Sequence, residues 1–93
     1  MRQQKLFQQE SGLHSLDDAL TLDHIHQGER ARVKALNSTG SMRRHLLDIG
    51  LVEGTRVECL QRSPAGDPIA YLIRGAVIAL RTEDSSRILV EYC

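Results

Sequence analysis

The sequence predicts an all-β fold, a small closed or nearly closed barrel of about five strands with one short helix. Three observations lead there. Short apolar runs recur at regular spacing from Arg30 to Tyr92, and turn signals suited to antiparallel neighbours separate them. Only the stretch from Ser41 to Ile49 carries a helical apolar period. A closed or nearly closed sheet leaves few unpaired edges, which is how short strands of this kind reach stability.

The first strand starts at Arg30. Ala31, Val33 and Ala35 alternate with Arg30, Arg32 and Lys34, giving one apolar and one basic face, and Asn37-Ser-Thr-Gly40 ends it. The helix follows, with Ser41 as its expected N-cap. Met42, Leu46 and Ile49 fall within about 60° of one another on a helical wheel, while Arg44 and Asp48 stand opposite at i, i+4. Gly50 fits the left-handed position just past a helix end, and Leu51 is then expected to fold back on Leu46 as the hydrophobic half of a Schellman cap. Gly54 turns the chain again, and Thr55 to Arg62 reads as the second strand.

Ser63-Pro-Ala-Gly66 has the residue order of a type I turn, and Asp67 and Pro68 extend that loop into a third strand, Ile69 to Arg74. Gly75-Ala76 reads as a two-residue hairpin connection to Val77–Arg81. Thr82 to Ser86 reads as one helical turn before a last strand, Arg87 to Tyr92. Residues 1–19 stand apart as an N-terminal extension. Gln-rich, with Leu6 and Phe7 its main apolar groups, the first ten are expected to be weakly ordered or loosely docked, and Ser15 with Asp18 has capping-box spacing. The barrel domain is then 20–93.

Composition narrows the function. A chain of 93 residues makes one domain with a modest core, burying roughly 60 to 65 per cent of its unfolded surface. Twelve basic and twelve acidic side chains cancel, so no whole-molecule field draws it to a polyanion or an anionic bilayer. Phe7, Tyr71 and Tyr92 are the only aromatics, too few to stack exposed bases, and nucleic acid is not an expected partner. The apolar runs Ile69–Ile73 and Ala76–Leu80 are far too short to span a bilayer, so direct membrane insertion is not expected. The N-terminus lacks the apolar core of a signal peptide, and Cys59 and Cys93 form no metal-type pair, which together predict a cytoplasmic protein with reduced thiols.

Arg44-His-Leu-Leu-Asp-Ile-Gly-Leu51, Gly54-Thr-Arg-Val57, Ala65-Gly-Asp-Pro-Ile69, Arg74-Gly75 and Ala79-Leu-Arg81 stand in that order. Together they resemble the ferrous iron transport protein A (FeoA) family over about Leu20 to Tyr92. Their order and spacing carry the resemblance, each motif alone being weak. It implies an SH3-like barrel with a short helix after the first strand. It also implies a cytosolic bacterial accessory protein that docks on the large ferrous-iron membrane transporter carrying a G-protein domain and modulates it, peripheral at the inner membrane through that partner. Two positions depart from the pattern: Glu53 stands where the family usually has proline, and Ala65 where it often has leucine. Neither removes a glycine the backbone needs.

Candidate functional residues are few. Arg43 and Arg44 on the helix, with Leu47 and the outer edge of Leu51 as an apolar centre, form the expected partner-binding surface; the plainer account is a solvated helix face with Arg44 paired to Asp48. DNA contact through the same arginines is weaker, since Asp48, Glu53 and Glu58 dilute the charge. His24 and His26, as alternate residues on a strand, share a face and are the metal candidates, with Asp23, Glu29 or Cys93 completing a shell for Fe, Mn or Zn. That would make the chain a metal-binding or metal-sensing module, like the SH3-like domains of iron-dependent repressors. Two solvated histidines in a loop is the simpler account, because two ligands without a placed third make a poor site. Cys59 shares a strand face with Val57 and is expected buried and inert. Ser85, Ser86 and Asp67 belong to no nucleophile–base arrangement, and no Gly-Lys-Ser/Thr follows Gly66 to make a phosphate loop, so no enzymatic activity is expected.

Overall fold

The computed structural model describes residues 20–93; the expectations for 1–19 lie outside the described residues. Five strands form one antiparallel sheet: β1 (Arg30–Leu36), β2 (Arg56–Arg62), β3 (Ile69–Ile73), β4 (Ala76–Leu80) and β5 (Ile88–Tyr92), in the order β4-β3-β2-β1-β5. Helix α1 (Gly40–Asp48) follows β1, and the short α2 (Thr82–Ser85) links β4 to β5. The sheet curls around one core in which Val33, Leu46, Leu51, Val57, Ile69, Tyr71, Ile73 and Ile88 are closed to solvent. Burying each side chain of that size stabilises the fold by about 1.5–3 kcal/mol.

β4 and β5 do not pair among the described residues. α2 joins β4 to β5 at one end of the seam between them, and a 3-10 turn at Leu22–His24 packs against α2 and β5. Ahead of that turn, Thr21 bridges Leu89, and Val90 N–H donates to Leu20 C=O at 2.9 Å. The outer edge of β5 is thus covered by the chain itself.

Boundaries agree with the sequence to within a residue or two, and three local expectations change. Helix α1 begins at Gly40, at φ 64°, so Thr39 and not Ser41 stands at the N-cap position, with no side-chain hydrogen bond to the helix. The β3–β4 hairpin turns at Arg74-Gly75, not Gly75-Ala76: both have positive φ, 51° and 85°, the pattern of a type I′ turn, and Ala76 already belongs to β4. Ala35 is exposed although Ala31 and Val33 are buried. A register shift between Val33 and Ala35 against β5 moves Ala35 off the core face.

The C-terminus of α1 is a Schellman motif. Leu51 N–H donates to Leu46 C=O at 3.0 Å, Gly50 N–H to Leu47 C=O at 3.0 Å, and Gly50 has φ 103°. Leu46 and Leu51 meet in the core as its hydrophobic half. Gly66 N–H donates to Ser63 C=O at 2.8 Å, closing the Ser63–Gly66 turn. Beyond that turn, the Asp67 carboxylate accepts from Thr82 N–H at 2.9 Å, so the loop caps α2 from fifteen residues away.

Candidate functional site

α1 lays Leu46 into the core, with Met42 and Ile49 half-buried beside it. The opposite flank, with Arg43, Arg44 and Leu47, faces solvent. The groove between this flank and β1 is a cleft of about 210 Å³ whose walls include Lys34, Leu36, Arg43, Leu47 and Glu53. Arg43 leans across it, its Nη1 donating to Leu36 C=O at 3.3 Å. Arg44 and Asp48 do not form an ion pair, leaving the Arg44 guanidinium on the open side of the helix.

Leu51 corrects one expectation. It is 0% exposed, because the Schellman cap turns its side chain back onto Leu46. It closes the base of the cleft and offers no outer edge to a partner. The exposed apolar groups here are Leu47 at 37% and Val52 at 38%, and nothing in the sequence marks Val52 as part of this surface. Residue type alone could not separate Leu51 from Val52; the cap geometry does, since it buries the first residue after Gly50 and releases the next.

The metal candidates fall on no strand. His24 ends the 3-10 turn and His26 lies in the bend after it, so the shared-face geometry expected of alternate strand residues is lost. Each ring meets its own neighbours: His24 Nδ1 lies 3.0 Å from Thr21 Oγ1 and its Nε2 3.8 Å from Asp23, while His26 Nδ1 lies 3.3 Å from Glu29. Glu29 also accepts the His26 N–H at 2.6 Å and the Tyr92 hydroxyl at 3.3 Å. The His26 backbone N–H is the main reason the Glu29 carboxyl lies below the usual carboxylate range. Among the described residues no group of three or more His, Cys, Asp or Glu side chains is placed to hold a metal.

Two long-range ties hold this loop to the barrel. Arg62 Nη1 donates to the carbonyls of Ile25 at 3.0 Å and Asp23 at 3.2 Å, and the buried Tyr71 hydroxyl donates to Leu22 C=O at 3.3 Å. Burial pushes the Tyr71 hydroxyl up to about 12 and the Cys59 thiol above its ordinary value. Cys59 is closed to solvent and Cys93 is exposed. Ser85 is buried at the seam, and the Ser86 hydroxyl donates to Glu83 C=O.

A half-open five-stranded barrel with a helix after its first strand, an exposed basic and apolar helix flank, and glycine-defined turns is the architecture of an SH3-like domain. Residues 20–92 match the model of the FeoA domain, and the chain belongs to that family. It is 32% identical over 72 residues to the Fe(2+) transport protein A/Fe(2+) transporter FeoB fusion protein of Porphyromonas gingivalis. That match takes in 77% of this chain but spans only 8% of the fusion protein. Among solved structures, iron(II) transport protein A from Clostridium thermocellum superposes with a TM-score of 0.76 at 34% identity, over 78% of this chain and 45% of that one. The FeoA of Stenotrophomonas maltophilia, described as an SH3 domain protein and solved with zinc, gives a TM-score of 0.71 at 25% identity, over 78% of this chain and 91% of that one. Membership in the family links the chain to ferrous iron transport. Among the described residues no helix is long and apolar enough to cross a membrane.

Proposed function

We propose that this domain is a non-enzymatic accessory module of bacterial ferrous iron uptake that docks on the cytosolic part of a ferrous-iron membrane transporter carrying a G-protein domain and modulates it. The observation that carries the reading is the Porphyromonas gingivalis relative, in which the matching segment shares one chain with an Fe(2+) transporter. Fusion holds two units at high effective concentration, which favours pairs that act together. In this chain the docking surface is the outer flank of α1: Arg44 and Arg43 meet acidic groups on the transporter, and Leu47 with Val52 supplies the apolar centre. The protein then works in the cytoplasm, at the inner membrane only through its partner.

A pull-down of the transporter's cytosolic domain tests the reading. Arg44→Glu combined with Leu47→Asp alters exposed side chains only, and binding is expected to weaken at least about tenfold, a loss of about 1.4 kcal/mol. Wild-type binding by this variant removes α1 from the interface, and no binding by the wild type removes the docking role. The alternative, a module that binds or senses a transition metal through His24 and His26, lacks a third ligand among the described residues.

A further inference from the structure

The two outer edges of the sheet are treated differently. That of β5 is covered by Leu20 and Thr21, whereas β4 has a strand neighbour only on its β3 side among the described residues. In a two-residue hairpin the residues flanking the turn are a hydrogen-bonded pair, and hydrogen-bonded pairs then alternate along the ladder. The register Ile73↔Ala76, Leu72↔Val77, Tyr71↔Ile78, Ala70↔Ala79 therefore turns the N–H and C=O of Val77 and Ala79 away from β3. None of the backbone hydrogen bonds outside the ladder, among the described residues, uses either of them.

Within the strand itself this edge carries none of the usual protection. Natural edges are blunted by lysine, proline, a bulge or an inward charge, and Ala76-Val-Ile-Ala-Leu80 has no charged residue, no proline and no register shift against β3. Val77 is 68% exposed. Beside it the outer face of β3 and β4 is apolar, with Val77 opposite Leu72 and Ala79 opposite Ala70, and it gives way on β2 to Glu58 and Gln61; Pro64, Pro68, Gln61 and Ser63 line a cleft of about 260 Å³ there.

We propose that the outer edge of β4 pairs antiparallel with β4 of a second copy of this chain, joining two five-stranded sheets across a two-fold axis at Ile78. The strand is complementary to itself in this register, which argues for a second copy as the occupant. Pairing about Ile78 sets Val77 of one copy against Ala79 of the other and the reverse, so each outward N–H meets an outward C=O and four hydrogen bonds form. The side chains are complementary too, since the larger Val77 lies beside the smaller Ala79 of the second copy on one continuous apolar face. At the strand ends the same register sets Arg81 opposite Gly75, and Arg74 opposite Thr82 at the start of a segment carrying Glu83 and Asp84. No like charges meet, and the neutral chain opposes association with no net charge.

Pairing of two five-residue strands makes a small interface, so the dimer is weak and concentration-dependent. Analytical ultracentrifugation of the full chain from about 10 μM to about 1 mM is expected to show the mass rising toward twice the monomer value. Over the same range, hydrogen exchange at the Val77 and Ala79 amides is expected to slow by about tenfold while that of Ile78, bonded to β3, is unchanged. Val77→Lys places a charge on the edge, and Ala79→Pro removes one outward N–H without touching the β3 ladder. Both are expected to stay monomeric with wild-type circular dichroism. A wild type still monomeric at about 1 mM, or a dimer that persists in both variants, overturns the proposal. So does slow exchange at Val77 and Ala79 at every concentration, which would assign the edge to another segment of the same chain.

Discussion

The Cα of Gly50 lies under the aliphatic stem of Arg74: a Cβ built on Gly50 would stand 2.6 Å from Arg74 Cδ and 3.4 Å from Cγ. Two turns far apart in the chain are fitted to each other there. Gly50 closes α1 at φ 103°, and Arg74 opens the β3–β4 turn at φ 51°. The backbone conformation disfavours a side chain at this position, and a Cβ there would also push the exposed Arg74 stem aside.

Gly50→Ala is expected to cost about 1–2 kcal/mol from the left-handed backbone alone, and more from displacing Arg74. A double-mutant cycle separates the two. In an Arg74→Ala background the cost of Gly50→Ala falls, because the obstruction is gone while the backbone strain remains. Urea unfolding of the four proteins measures this, and equal costs in both backgrounds would show that Arg74 does not press on Gly50.

Tyr71 makes stability depend on alkaline pH. Its buried hydroxyl is pushed up to about 12 from an ordinary value of 10.0, chiefly by loss of hydration. The folded state favours the neutral phenol, so its contribution is fully present below pH 10.0 and is lost as pH rises through about 12. Cys59, also raised by burial, begins the same decline from its ordinary value of 9.0. Tyr71→Phe is expected to cost about 0.5–1.5 kcal/mol at neutral pH through the lost bond to Leu22 C=O. Its urea midpoint should then fall less than that of the wild type between about pH 8 and about pH 11. Parallel midpoints would mean that Tyr71 ionises as freely in the fold as out of it.

The same residues show what a sequence can and cannot announce. Gly50 followed by Leu51 is legible because a helix period stops there and only glycine is at ease past a helix end. The strand register is less so. Ala35 continues the alternation of Ala31 and Val33 in sequence, but a register shift takes it off the core, and no residue type advertises the shift. Arg74 sits in the left-handed region although the sequence places it at the end of a strand, since arginine carries no turn preference of its own. The loop holding His24 and His26 takes its shape from Arg62 and Tyr71, 37 and 49 residues from the carbonyls they bind. Contacts at that separation leave no periodic trace, so the strand expected for the two histidines had nothing to correct it.

Glu53 occupies the second position of the turn Val52–Thr55, which Thr55 N–H closes by donating to Val52 C=O at 3.0 Å. Gly54, third in the turn, has φ 91°, the signature of type II, where proline is favoured at the second position. The Glu53 N–H enters none of the backbone hydrogen bonds among the described residues outside helices and strands. Glu53→Pro is therefore expected to raise stability by about 0.4–1 kcal/mol through a less disordered unfolded chain. A thermal melt that shows Tm unchanged or lowered would mean that the turn needs the Glu53 N–H or side chain.

The histidines give the sharpest separation between an accessory protein and a metal sensor. His24 and His26 each face one carboxylate of their own, Asp23 and Glu29, so a cation bound at one ring gains a single strong partner and then depends on water. Two-ligand sites of this kind are weak, because each bond to a transition metal must offset the metal's loss of hydration without help from a closed shell. Calorimetry with Zn(II), Mn(II) and Fe(II) is expected to show no saturable site tighter than about 10 μM, the level at which about 7 kcal/mol is released. His24→Ala combined with His26→Ala should leave the titration unchanged. A one-to-one site tighter than that limit, abolished in the double variant, would mean that the loop closes around the ion and brings the two rings together. The metal-sensing reading would then displace the docking one, since the geometry that now gives each ring its own carboxylate would be only the metal-free half of a switch.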